Sequence, residues 1–257
     1  MHALERRTKI LEMLQKDAFL SVEEVQQALD ASPATIRRDF AELAERMLVV
    51  RGHGGVHRLE NAPINGVLPF SRRKVERPEG KNRIAKAATG LLREGDIVII
   101  DGGTTTVGIA QYISPLVRII TNSLPLASAL NEPAQGRSAV PEVNMTGGSV
   151  YPRSEVLLGP LTVKTLKEFN SNWAFLGANG ITNAGVYNSN NLVADTQKEM
   201  IERAQQIAIL ADSTKLGRLA MVKVCELTMV DVIVTDEQPP ADLVAACAEA
   251  DVKIVVA

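Results

Sequence analysis

Aromatic side chains make up only 4% of this 257-residue chain, and histidine occupies only three positions. The core must therefore rest on Val, Ile, Leu and Ala rather than on large rings. Two cysteines, Cys225 and Cys247, are too few and too far apart for a zinc framework or a disulfide-stapled secreted fold. No apolar run approaches the roughly 18 residues of a membrane-spanning helix. The opening "MHALERRTKILEML" has charges where a secretory leader would need an apolar core. The net charge of −2 lacks the surplus that a broadly basic nucleic-acid coat requires, although it leaves room for a local basic face. Also missing are a G-x-x-x-x-G-K-[ST] loop and a strand-linked G-x-G-x-x-G, which argues against an NTPase or a nicotinamide enzyme. The expectation is a cytoplasmic globular protein with no membrane contact, no metal and no cofactor.

Residues 1–58 read as three helices and a hairpin. Leu4, Ile10, Leu11 and Leu14 mark an apolar stripe on the first helix. In "LSVEEVQQAL", Ser21 is placed as an N-cap with Glu24 as its capping-box partner, and Val25, Ala28 and Leu29 face inward. The turn "DAS" leads to the helix "PATIRRDFAELAERM", capped by Ser32 and opened by Pro33, whose missing N–H costs nothing there. "LVVRGHGGVHRL" then alternates around glycines as a two-stranded wing. The sum is a winged helix-turn-helix.

With Ile36 at the centre of the third helix's core face, Phe40 and Leu43 share that face at about 100° per residue. Arg38 points away from the core, with Ala34 and Glu45 on its side, while Arg37 and Asp39 flank it. That division suits a recognition helix, with Arg38 reading base edges and Thr35 and Arg37 gripping the backbone. Asp39 is expected in a structural ion pair or hydrogen bond. The DNA-contacting set on this helix is Ser32, Ala34, Thr35, Arg37 and Arg38. His53 and His57 stand four apart, but a hairpin does not hold such a pair as a helix would, so they read as solvated surface.

Residues 59–79 read as a linker in which Asn, Pro and Gly break the pattern, ending in "SRRKVERPEGKNR". Its end carries Arg72, Arg73, Lys74, Arg77, Lys81, Arg83 and Lys86 against Glu76 and Glu79, a solvated stretch and first helical turn.

Residues 80–257 alternate β-branched runs ("DIVII", "VRIIT", "EVNMTGG", "WAFLG", "IAILAD", "VDVIVTD", "VKIVVA") with helical segments. The pattern is that of an α/β domain with a largely parallel sheet. Successive strands end in groups an anion site would want. They are Asp101, Gly102, Gly103, Thr104, Thr105 and Thr106; Thr121, Asn122 and Ser123; Thr146, Gly147 and Gly148; Gly177, Asn179 and Gly180; and Asp212 to Lys215. Ligands of open parallel sheets bind outside the carboxyl ends of the strands, so these ends point to one shared site. "DGGTTT" offers backbone N–H groups and hydroxyls to a phosphate, and Lys198 and Lys215 are the cations expected to balance it. Asp101 and Asn179 suit sugar hydroxyls, although Asp101 alternatively stabilises its own turn.

"SPATIRRDF", together with Arg6, Ile10 and Leu14 and the wing "LVVRGHGGV", resembles the N-terminal signature of the DeoR family of bacterial transcriptional regulators. "TNS", "GG", "GANGI" and "DSTKLG" are similar to that family's effector domain, whose fold is of the ribose-5-phosphate isomerase type. The resemblance covers essentially the whole chain. It implies a repressor of a carbohydrate catabolic operon whose operator affinity is set by a phosphorylated sugar or related metabolite, and it carries Arg51 and His53 over as DNA contacts from the wing. Around "VYNSNNLVADTQK" many relatives carry a glutamate with no obvious match here; Asp195 is the nearest carboxylate. Half-site reading calls for a dimer or tetramer, assembled mainly through the α/β part. The rival reading, a sugar-phosphate isomerase or aldolase-like enzyme, lacks a paired-carboxylate or Ser/Cys–His constellation, since His2, His53 and His57 all lie in the DNA-binding part.

Overall fold

The computed structural model describes residues 2–46, 48–58, 68–132, 139–152 and 154–257. The chain divides into two compact units, Met1–Arg72 and Arg73–Ala257.

The first unit runs α1 (Ala3–Lys16), β1 (Phe19–Ser21), α2 (Val22–Leu29), α3 (Pro33–Glu45), β2 (Val49–Gly52) and β3 (Gly55–Arg58). Ile10, Leu14, Val25, Ile36, Phe40, Leu43, Val49 and Val56 form its buried core. Leu4 is 71% exposed, so the inward stripe of α1 begins two residues later than expected, at Arg6. Both halves of the Ser21–Glu24 capping box are present, and Ser32 accepts the Thr35 amide at 3.2 Å. These bonds occupy amides that a helix start leaves open. Strand β1 is too short to announce itself in sequence, yet it makes the wing a three-stranded sheet in the order β1-β3-β2. Gly55 pairs with Ser21 so closely that a Cβ would overlap the Leu20 carbonyl. Arg58 closes the unit by donating to the Leu14 and Gln15 carbonyls at 2.8 and 2.7 Å, bonding the exposed end of α1.

The stretch expected as linker through residue 79 is helical at α4 (Phe70–Val75), and α5 (Pro78–Thr89) starts before its end. Pro78 sits in the first turn of α5, where proline is tolerated, and Lys81 is only 7% exposed. Charge density there had suggested full solvation. Residues 59–67 lie outside the described residues.

The second unit continues with β4 (Ile97–Ile100), a short 3₁₀ turn (Thr106–Gln111), β5 (Arg118–Thr121), α6 (Leu124–Asn131), β6 (Val143–Met145), β7 (Ser149–Tyr151), β8 (Val156–Leu158) and α7 (Pro160–Leu166). It ends with β9 (Ser171–Gly177), β10 (Gly180–Thr182), β11 (Gly185–Asn188), α8 (Asn191–Glu202), β12 (Ala204–Leu210), β13 (Val222–Cys225), β14 (Val232–Thr235), α9 (Ala241–Glu249) and β15 (Lys253–Val256). Seven strands form one sheet in the order β15-β14-β12-β9-β4-β5-β6, and every pairing in it is parallel. Side chains alternate between two cores, as a sheet covered on both faces requires. Ile99, Ala174, Leu176, Ile207, Ile209 and Ile233 meet Met200 and Ile201 of α8 and Leu243 and Cys247 of α9. Val98, Ile100, Phe175, Ala208, Leu210 and Val234 meet Ile84 and Ala88 of α5 and Leu126 and Leu130 of α6.

Strand order reverses between β4 and β9. From β4 the chain moves outward through β5 to β6; from β9 it moves the other way through β12 and β14 to β15. The loops after β4 and β9 therefore diverge from a common edge, leaving a crevice at the carboxyl ends of the strands.

Candidate functional site

In the first unit, α3 is split into two faces. Ile36, Phe40 and Leu43 are buried, while Ala34, Arg37, Arg38, Ala41 and Glu45 are exposed. Asp39, though charged, is only 1% exposed. It accepts hydrogen bonds from Arg6 and, at 2.9 Å, from Arg7, and Arg7 also reaches Glu42 at 3.1 Å. The buried aspartate thus ties α1 to α3 and leaves the two exposed arginines of α3 to the outside. Arg51 and His53 are exposed on β2 and the tight turn after it, where Gly54 supplies the positive φ of +77°. The side chains of Ser32 and Thr35 lie 2.8 Å apart at the helix start.

In the second unit, a cleft opens at the switch point. Its walls come from the loop Asp101–Thr106 after β4, Gly177–Asn179 after β9 and Leu210–Lys215 after β12, joined by Asn188 and by Arg73, Glu76 and Lys81. Three cations, Arg73, Lys81 and Lys215, and three carboxylates, Glu76, Asp101 and Asp212, are among the lining residues. The Lys81 ammonium donates to the Arg73 carbonyl. Burial pushes Lys81 below the usual lysine range; Asp212 and Glu76 oppose that push, and Lys215 and Arg73 add to it. Asp212 accepts the Thr214 amide at 3.1 Å and its hydroxyl, which fixes the turn that carries Lys215.

Asp101 is the most strongly perturbed group of the cleft. It is 2% exposed, and burial pushes its carboxyl up to about 6 against the pull of the Gln197 amide. Gln197 donates to Asp101 Oδ2 at 2.6 Å and to the Gly177 carbonyl at 2.7 Å, while its own oxygen accepts from Asn188 at 3.2 Å. Asp101 Oδ1 is buried with no hydrogen-bond partner among the described residues.

The structure brings to the cleft Asp101, Gly102, Gly103, Thr104, Thr105, Thr106, Gly177, Asn179 and Lys215. Other expected residues stand elsewhere. Lys198 is exposed and pairs with Asp195 at 3.5 Å, so neither reaches the wall. On α8, Ala194, Thr196, Gln197, Met200 and Ile201 are buried, and Lys198 lies about 100° round the helix from Gln197, away from Thr196 and Met200. Thr121, Asn122 and Ser123 are fully buried supports. Thr121 donates to the Ile100 carbonyl at 2.6 Å, Asn122 accepts the Gly102 amide at 3.1 Å, and Ser123 caps α6. The β7–β8 hairpin covers that end of the sheet: Leu157 N donates to the Asn122 carbonyl at 2.8 Å, and a Cβ on Gly102 would overlap Val156. Gly147 and Gly148, with φ of +67° and +122°, make the turn into this hairpin. The Gly147 carbonyl accepts from Thr162 at 2.8 Å, and a Cβ on Gly148 would overlap the same hydroxyl. Gly180 is a packing glycine, whose Cβ would overlap the Arg218 carbonyl.

Sequence reasoning missed Arg73, Lys81, Asn188 and Gln197. The inward position of Ile201 carried the signal for Gln197, one turn earlier on the same helix face. Arg73 and Lys81 were hidden inside a charge run. Among the described residues no group of three or more His, Cys, Asp or Glu is placed to hold a metal ion, and no helix is long and apolar enough to cross a membrane.

Residues 6–62 match the DeoR-like helix-turn-helix domain and residues 76–237 the DeoR C terminal sensor domain. The HTH-type transcriptional regulator GlpR of Haloferax volcanii is 34% identical over 244 residues, spanning 93% of this chain and 91% of its own. The glycerol-3-phosphate regulon repressor of Escherichia coli is 31% identical over 246 residues, spanning 95% of this chain and 94% of its own. A solved ribose 5-phosphate isomerase A from Methanocaldococcus jannaschii aligns with 54% of this chain and 55% of its own at 15% identity and a TM-score of 0.37, a likeness too distant to argue from. With both domain matches in chain order and the relatives aligned nearly end to end, this chain belongs to the DeoR family of transcriptional regulators, a helix-turn-helix unit followed by a sensor unit.

Proposed function

We propose that this regulator represses a carbohydrate catabolic operon, and that a phosphorylated sugar or polyol in the switch-point cleft sets its affinity for operator DNA without being transformed. The observation that carries the reading is the composition of the cleft wall. A Gly/Thr turn and three cations converge beside a buried carboxylate oxygen that lacks a donor among the described residues. A phosphate suits the first two features and a sugar hydroxyl the third. On the DNA side, Arg38 reads base edges, Arg37, Thr35 and Ser32 hold phosphates, and Ala34 lies close enough for apolar contact. Arg51 and His53 follow from the wing. Two copies of α3 read two half-sites, so the chain acts as a dimer or tetramer.

The test is a thermal-shift screen of phosphorylated sugars and polyols, followed by operator titration with each hit. One compound is expected to change operator affinity by about 1–3 kcal/mol of coupling. If no compound changes it, the sensor reading is refuted and the second unit is left as an assembly domain.

A further inference from the structure

Gln197 brings no charge to the cleft and does not line it, yet it holds the carboxylate that does. Both of its polar ends are engaged: the amide nitrogen by Asp101 Oδ2 at 2.6 Å and the Gly177 carbonyl at 2.7 Å, and the oxygen by Asn188 at 3.2 Å. Being 1% exposed, it has no solvent to turn toward. This clamp fixes one oxygen of Asp101 and leaves the other, Oδ1, buried without a donor among the described residues. An ionised carboxylate oxygen can only accept.

Resting on the anion-cleft reading above, we infer that Gln197 is a positioning residue that makes Asp101 a hydroxyl selector: the cleft takes a phosphate monoester presenting a hydroxyl to Oδ1 and rejects the corresponding phosphorylated acid. A hydroxyl satisfies Oδ1. A carboxylate at the same place brings no proton and sets like charge against it, so rejection comes from an unpaired buried acceptor as well as from repulsion. Without the clamp, Asp101 is free to rotate, and either oxygen can leave the cleft.

The test uses the full-length protein at pH 7.5 and calorimetric titration with two matched pairs and a control. The pairs are glycerol 3-phosphate with 3-phosphoglycerate and glucose 6-phosphate with 6-phosphogluconate; the control is inorganic phosphate. Wild type is expected to favour the hydroxyl member of a bound pair by roughly 30-fold or more. Gln197→Met is expected to cut that preference to about threefold or less while phosphate affinity stays within about twofold. A purely structural role would weaken both members and phosphate alike, and that result overturns the inference, as does an unchanged preference in the variant. Equal binding of both members by wild type overturns it too, as does phosphate binding with no member of either pair bound. If wild type binds neither phosphate nor any pair member, the anion-site reading itself falls. Should Gln197→Met fail to fold, judged by the emission of Trp173, Asp101→Asn replaces it. That variant is expected to narrow the preference by about tenfold, and an unchanged preference refutes the selector.

Discussion

Replacing Asp101 with Asn should make the empty sensor unit more stable and a poorer sensor at the same time. Burial raises this carboxyl from 3.8 to about 6 in the folded chain. The unfolded chain therefore loses its proton first as pH rises, and between those values it binds fewer protons than the folded one. Stability falls through that window, with no penalty below about 4 and the full penalty above about 6. Holding the charged form in the folded chain above that window costs roughly 3 kcal/mol. Asn keeps an oxygen for the Gln197 amide and carries no charge to bury. At pH 7.5 and without ligand, Asp101→Asn is expected to gain about 2–3 kcal/mol, or roughly 4–12 °C in Tm for a unit of this size. At pH 4 the gain should vanish. Trp173, the only tryptophan, lies in β9 at the centre of the unit and reports its unfolding by fluorescence. Equal stabilities at both pH values, or a variant less stable at pH 7.5, would refute the account of Asp101 as a buried charge held for a ligand.

Arg38→Ala is expected to cost about 1–3 kcal/mol in operator binding and to relax sequence preference, whereas Arg37→Ala should weaken binding to all sequences alike and reduce the salt slope by about one; competition assays on operator and scrambled duplexes separate the two. If both variants kept full operator affinity, α3 would not be the reading helix. In the cleft, Lys215→Ala should lower the affinity of any phosphorylated hit by about tenfold or more, while Lys198→Ala leaves it within about twofold, as titration calorimetry will show. The reverse pattern would move the anion site to the surface of α8.

The sequence alone determined those features whose cause is local. Capping at Ser21 and Ser32, the apolar spacing of Ile36, Phe40 and Leu43, and the alternation of β-branched runs with helices are short-range consequences of backbone geometry. The outward placement of Arg37 and Arg38 follows from the same spacing, as does the assignment of Asp39 to an ion pair. Which strand ends share a cleft depends on the order of strands in the sheet, and that order is set by pairings between residues far apart in the chain. Because β4 lies beside β9, Asp101 meets Gly177; because the β7–β8 hairpin closes over β5, Thr121, Asn122 and Ser123 became supports. The choice of Gln197 over Lys198 was decided likewise, by which face of α8 the sheet buries. A residue's type shows what it can bond to; only packing at a distance shows what it meets, and in "DGGTTT" that is a neutral amide holding a carboxylate whose second oxygen has no donor among the described residues.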